Sequence, residues 1–222
     1  MNAVVQQSDL KITPELAEAL QSYGVDANDV VEAHPQVFWD YQAYPAAGQL
    51  NFKFFQNTPG QGGFTQATTN MPAPGQFPAP QNFLWTATEI MFVSGAAVTG
   101  IAVNGETQAD DYNAVMLKGL ATYGFTINTK QYLFAGPLGS LPAQFGQQPA
   151  LASSLYDQGA ATISLSATDT PYGDLVRTSG QLIRSNMQIA GSVTFDALTP
   201  TPSTQIGRLG VRLHGIWYQL AQ

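Results

Sequence analysis

Cysteine is absent from all 222 residues, so neither a disulfide nor a thiolate metal ligand can form, and the redox compartment stays open. Charge is almost as scarce. Asp, Glu, Lys and Arg together make up 10% of the chain, against roughly 25% in an average soluble protein. Eight cations against fifteen acids leave a net charge of −7, with no cluster of Lys or Arg to neutralise phosphates, so no direct nucleic-acid binding is expected. Long apolar runs are missing too. The most apolar window, Ile90 to Val103, carries two glycines and falls short of the about 20 residues that a membrane-crossing helix needs. The opening MNAVVQQSDLKI lacks a basic segment followed by an apolar run, so no secretory signal is expected and the chain reads as soluble.

What is present is polar, uncharged and aromatic, with 44% hydrophobic residues to build a core. Organisation changes near residue 35. Before it, TPELAEALQSYG predicts a helix: Thr13 can cap, Pro14 suits the first helical position, Glu15 suits the positive end, and Gly24 can close it. Leu16, Leu20 and Tyr23 then share one face, and two readings stay open: an arm packed on its own domain, or one that reaches a neighbour or a membrane face. DANDVVEA predicts a second short helix, with Asp26 as cap. Residues 1–35 are thus read as an arm and 36–222 as one β domain.

After Pro35, short runs of aromatic and β-branched residues broken by Gly, Pro and Asn predict strands at 37–44, 49–56, 82–95, 124–136, 161–167, 181–198 (broken near its middle) and 207–220. In GRLGVRLHGIWYQL, Leu209, Val211, Leu213, Gly215 and Trp217 fall on one face, and Arg208, Arg212 and His214 on the other. DDYNAVMLKGLATYG predicts one helical insertion, closed by Gly124. About eight strands with long loops and one helix suggest a single jelly-roll β-sandwich, with a compact double jelly roll as the alternative.

A search for chemistry finds little. GQGG at 60–63 lacks the Lys-Ser/Thr ending and the following helix of a phosphate loop. His34 and His214 are far apart and belong to no metal-binding spacing. Asp110 and Asp111 fit helix capping better than catalysis, Glu89 and Glu106 point to nothing specific, and no Gly-x-Ser-x-Gly elbow exists. No enzyme, no cofactor and no metal are expected. Trp39, Tyr41, Tyr44, Phe52, Phe54 and Phe55 could form a sugar-binding platform, yet the alternation of Phe52 with Phe54 and of Trp39 with Tyr41 favours core packing. Phe55 points away from Phe54 and is a candidate for an interface.

Four elements carry a family resemblance: a strand ending in FFQ (Phe54 to Gln56); Thr69 to Met71 before the turn Gly75 to Pro78 and a new strand; Lys130 to Leu133 running into Pro137 to Gly139; and a closing Gly215 to Tyr218. In that order they resemble capsid proteins of tailless icosahedral bacteriophages of the jelly-roll lineage. The resemblance spans residues 50 to 220, and its motifs are loose. It implies a virion subunit, assembled in the host cytoplasm, that associates with itself as trimers or pseudo-hexamers and with other capsid or vertex proteins, in some relatives over an internal lipid membrane. The competing expectation is a receptor- or carbohydrate-binding β-sandwich of a spike or tail.

Residues 57–81 remain: five prolines, four glycines and no charge. Phe64, Met71 and Phe77 give this stretch apolar anchors that a disordered linker does not need, so it is expected to be ordered, lying along the sandwich edge or against a neighbouring subunit. With Leu16, Leu20, Tyr23 and Phe55, these three complete the set of interface candidates.

Overall fold

The alternation read along the chain becomes two antiparallel sheets of four strands each. The computed structural model describes residues 14–95, 108–138 and 180–221. Helix α1 (Pro14–Ser22) is followed by a single 3-10 turn (Ala27–Asp29), then β1 (Val30–Tyr44), β2 (Asn51–Phe54) and β3 (Gln81–Val93). Helix α2 (Gln108–Tyr112) continues as a π-helical turn (Asn113–Lys118) into β4 (Leu120–Ile127), β5 (Lys130–Pro137), β6 (Gln181–Ile183), β7 (Ile189–Phe195) and β8 (Gly207–Leu220). The strand order is β1-β8-β3-β6 in one sheet and β2-β7-β4-β5 in the other.

One aromatic-rich core lies between the sheets. Trp85 of the first sheet stands 4.7 Å from Phe125 of the second, and Tyr44 stacks on Phe52 at 5.2 Å. Such pairs add about 0.5–1.5 kcal/mol each beyond area burial, so the sheets are held in register as well as together. On β8, Leu209, Val211 and Leu213 are fully buried while Arg208, Arg212 and His214 point away, as the period of two requires. A smaller cluster on the outer face of the first sheet packs Leu20 of α1 against Val30, Leu84, Leu182 and Tyr218. Helix α1 therefore lies on its own domain, and Gly24 ends it at φ +71°, where the Val25 N–H donates to the Leu20 carbonyl.

Several boundaries differ from expectation, each for a physical reason. The second helix shrinks to the 3-10 turn capped by Asp26, because Val30 and Ala33 gain more by pairing with Leu220 and Tyr218 of β8 than a short helix would return. Strand structure thus starts at Val30, ahead of the boundary expected at residue 35. The segment 124–136 is a hairpin and not one strand: Asn128, at φ +52°, turns the chain between β4 and β5. The insertion's helix ends at Gly119 rather than Gly124, which sits inside β4 beneath Leu133 of β5. The broken strand divides as expected into β6 and β7, while the strand expected at 161–167 lies outside the described residues.

Candidate functional site

The interface candidates are mostly interior. Leu20, Phe55, Met71 and Phe77 are fully buried within the chain and have no surface to offer a neighbour. Phe55 is turned inward by its own backbone: at φ +66° it leaves the strand pattern, so both it and Phe54 enter the core. Tyr23 is half-buried, its hydroxyl donating to the Gly180 carbonyl at 3.1 Å, and Phe64 is half-buried in the long loop. Leu16 lies within α1, and its side chain is outside the described part of the structure.

The stretch 57–81 is ordered and runs along the free edge of β1. The Tyr41 N–H donates to the Thr68 carbonyl at 2.7 Å, and the Asn70 N–H to the Trp39 carbonyl at 3.2 Å. The Asn70 side chain completes the seam, accepting from the Trp39 N–H at 2.7 Å and donating to the Val37 carbonyl at 2.8 Å. Met71 and Phe77 then carry the chain under the sandwich, and Phe77 meets Phe38 at 4.7 Å. An edge that would otherwise offer free backbone groups is closed by the chain's own loop.

Trp39 and Tyr41 correct the aromatic reading. Their alternation is real, but it places them on the outer face, while Tyr44, Phe52, Phe54 and Phe55 form core. There they floor a groove of about 650 Å³ lined by Val37, Trp39, Tyr41, Val93, Arg208, Arg212 and His214, with the turn Thr65–Thr68 as its wall. Gly210 makes this floor possible: the Tyr41 ring lies directly across it, and a Cβ there would stand 2.2 Å from Tyr41 Cε1. The Trp39 indole N–H donates to the Gln66 carbonyl at 3.2 Å, tying floor to wall.

Beneath the groove a polar cluster holds its cations in place. Glu89 of β3 is buried, and its Oε2 lies 3.1 Å from His214 Nε2 and 3.6 Å from Arg212 Nη1. Arg212 also donates through Nε to the Tyr41 hydroxyl at 2.9 Å, which in turn reaches the Met91 sulfur at 3.3 Å. Burial raises the Tyr41 pKa above its ordinary value, against the pull of Arg212, so the hydroxyl keeps its proton. Arg208 is exposed and makes no side-chain hydrogen bond or ion pair among the described residues.

No family model, curated protein or solved structure matches the chain. The geometry alone therefore carries the functional reading.

Asp40 and Asp111 bind main-chain and loop groups. Asp40 is fully buried on the core side of β1 and accepts from the Phe55 N–H at 2.5 Å and the Gln42 amide at 3.1 Å; burial pushes its carboxyl up to about 6. Asp111 does not cap its helix. Its carboxylate accepts from the Ser203 N–H at 2.8 Å, the Ser203 hydroxyl at 2.5 Å and the Ser94 hydroxyl, tying α2 to the β7–β8 loop. His34 is exposed, 4.8 Å from the Trp217 ring, and Glu106 lies outside the described residues. Among the described residues, no three His, Asp or Glu side chains are grouped to hold a metal ion.

The period of two along β8 places Arg208, Arg212 and His214 on one face but assigns them no role. A chain with eight cations that sets two on one face of one strand was the available signal. Glu89, 125 positions from His214, gave none.

Proposed function

We propose that the chain is a coat subunit of an icosahedral virus, built as a single jelly roll. The observation that carries this reading is the nesting of the strand pairs: β1 with β8, β2 with β7, β3 with β6 and β4 with β5, all antiparallel. Such nesting arises when one long antiparallel ribbon folds over on itself, which is the arrangement of jelly-roll coat domains. Lectins and cupins share that architecture, so the fold alone does not choose among them.

Surface chemistry favours assembly. Seven large apolar side chains are exposed among the described residues, and five of them, Leu50, Val93, Leu120, Leu198 and Ile206, belong to strand ends and loops at one end of the sandwich. Their proximity follows from the ladder: the Leu50 carbonyl accepts from the Phe195 N–H, and the Leu120 carbonyl from the Asp196 N–H, while Val93 pairs with Arg208. Interface centres are poor in charge and rich in apolar side chains, which suits a protein with 10% charged residues. The partners proposed are further copies of this chain, in trimers or pseudo-hexamers, together with other capsid or vertex proteins; a lipid layer beneath the shell fits the same reading. The location proposed is the virion.

The test is stoichiometry in particles. Mass spectrometry of purified virions should find this chain among the abundant components, and the purified subunit should sediment as oligomers that Leu120→Asp with Ile206→Asp disperses. A chain missing from particles and strictly monomeric across physiological salt would sink the proposal.

A further inference from the structure

We infer that the groove over Trp39 and Tyr41 is a binding site for an acidic sugar, a pyranose ring carrying one carboxylate, whether or not the chain assembles into a shell. Size, charge and the state of the backbone each narrow the ligand. At about 650 Å³ the groove falls within the roughly 300–1,000 Å³ of small-molecule sites.

Charge comes next. Among the described residues no carboxylate lines the groove, and the acid behind it, Glu89, already serves Arg212 and His214. Two guanidiniums against one carboxylate leave the site positive in a protein whose net charge is −7. Arg208 is the groove's cation with no partner among the described residues, and its planar fork matches a carboxylate in two parallel hydrogen bonds.

The backbone bears on the main competitors. A phosphate group is commonly cradled by free main-chain N–H groups. In the groove's wall three of these donors are spent, Thr65 N–H on the Thr68 hydroxyl and Thr68 and Thr69 N–H on the Thr65 carbonyl, while the Gln66 and Ala67 N–H groups stay open, and the adenosine monophosphate control tests whether a phosphate uses them. An acidic peptide would add as a strand to the β1 edge, but the Trp39 and Tyr41 N–H groups there are taken by Asn70 and Thr68. Beside these stand an aromatic floor, the exposed Thr65 hydroxyl, and the Arg208 guanidinium. A sugar ring uses all three: its C–H face packs on Trp39, a hydroxyl reaches Thr65, and the carboxylate meets Arg208.

Trigalacturonate titrated calorimetrically into the full chain tests this, with neutral galactose trimer and adenosine monophosphate as controls. Trigalacturonate is expected to bind and the neutral trimer to bind far more weakly. Arg208→Gln, at an exposed position that leaves the fold intact, should weaken binding by roughly tenfold or more, and Arg208→Lys by less, because the charge remains without the fork. Free galacturonic acid distinguishes a monosaccharide site from one that reads the polymer. The inference is overturned if the neutral trimer binds equally, if the nucleotide binds more tightly, if Arg208→Gln changes nothing, or if millimolar trigalacturonate gives no heat.

Discussion

Two carboxylates are buried in the first sheet, on opposite faces, and they are kept there by different means. Asp40, on the core side of β1, has no cation beside it among the described residues; neutral donors hold it, the Phe55 N–H and the Gln42 amide. Glu89, on the outer face of β3, is held by Arg212 and His214. Hydrogen bonds alone do not offset the desolvation of Asp40, whose carboxyl is pushed up to about 6. The contrast separates a carboxylate that resists its charge from one that organises the charges around it.

The largest expected effect comes from breaking the Glu89 cluster. Arg212→Met strands a buried carboxylate and frees the Tyr41 hydroxyl, and should cost about 3 kcal/mol in urea unfolding, the low end for a broken buried pair because His214 remains. Pairing it with Glu89→Gln should return most of that loss, since the buried charge disappears with its partner. A double variant as destabilised as the sum of the Arg212→Met and Glu89→Gln singles would show that the pair contributes no coupling.

Asp40 should behave in the opposite sense. Its folded-state pKa lies above the ordinary value of 3.8, so the folded chain binds this proton more tightly than the unfolded chain does. Its contribution to stability is therefore complete below pH 3.8 and is lost as pH rises through about 6. At about 1.4 kcal/mol per unit, the rise from 3.8 to about 6 makes the gain on acidifying from neutral pH about 3 kcal/mol. Asp40→Asn should remove that part of the pH dependence when the two proteins are compared by thermal unfolding across the range. Parallel pH profiles would refute the assignment.

A smaller change touches the floor of the groove. Gly210→Ala forces the Tyr41 ring off β8 and should cost about 1–2 kcal/mol, as overpacking does, while disturbing the Arg212 to Tyr41 hydrogen bond. The same variant should weaken trigalacturonate binding more than its stability loss implies; unchanged binding would separate the floor from the site.

Legibility differed between these regions in a way the physics explains. The inward face of β8 was readable because period two with Leu209, Val211 and Leu213 leaves one choice. Trp39 and Tyr41 alternate just as cleanly, yet alternation says only that one face is apolar, not which side of the sheet it meets. Tyr41 is buried on the outer face by Arg212, Met91 and the loop, none of them adjacent in sequence. Phe55 is hidden for a local reason: a left-handed φ at a non-glycine residue is unfavourable, and it is offset here by the Asp40 carboxylate receiving its N–H, the Gly75 N–H donating to its carbonyl and the burial of its ring. The hairpin at Asn128 and the pairing of Val30 with β8 likewise rest on tertiary contacts that a single window does not contain.

The smallest expected effect concerns the seam between the long loop and β1. Asn70 supplies both a donor and an acceptor to that edge, so Asn70→Ala leaves the Trp39 N–H and the Val37 carbonyl to water. The cost should be about 1 kcal/mol, because the edge is half-exposed and solvent replaces part of what is lost. That shifts the unfolding midpoint of a domain this size by only a few degrees, roughly 2–4 °C. The local consequence should be larger than the global one: faster amide exchange at Trp39 and Tyr41, and protease cleavage between Gly60 and Thr68 where the parent chain resists. Exchange that rises uniformly over β1 and β8 would mean the seam supports the whole sheet; exchange confined to the edge would mean the loop is a cover that opens on its own, taking the wall of the groove with it.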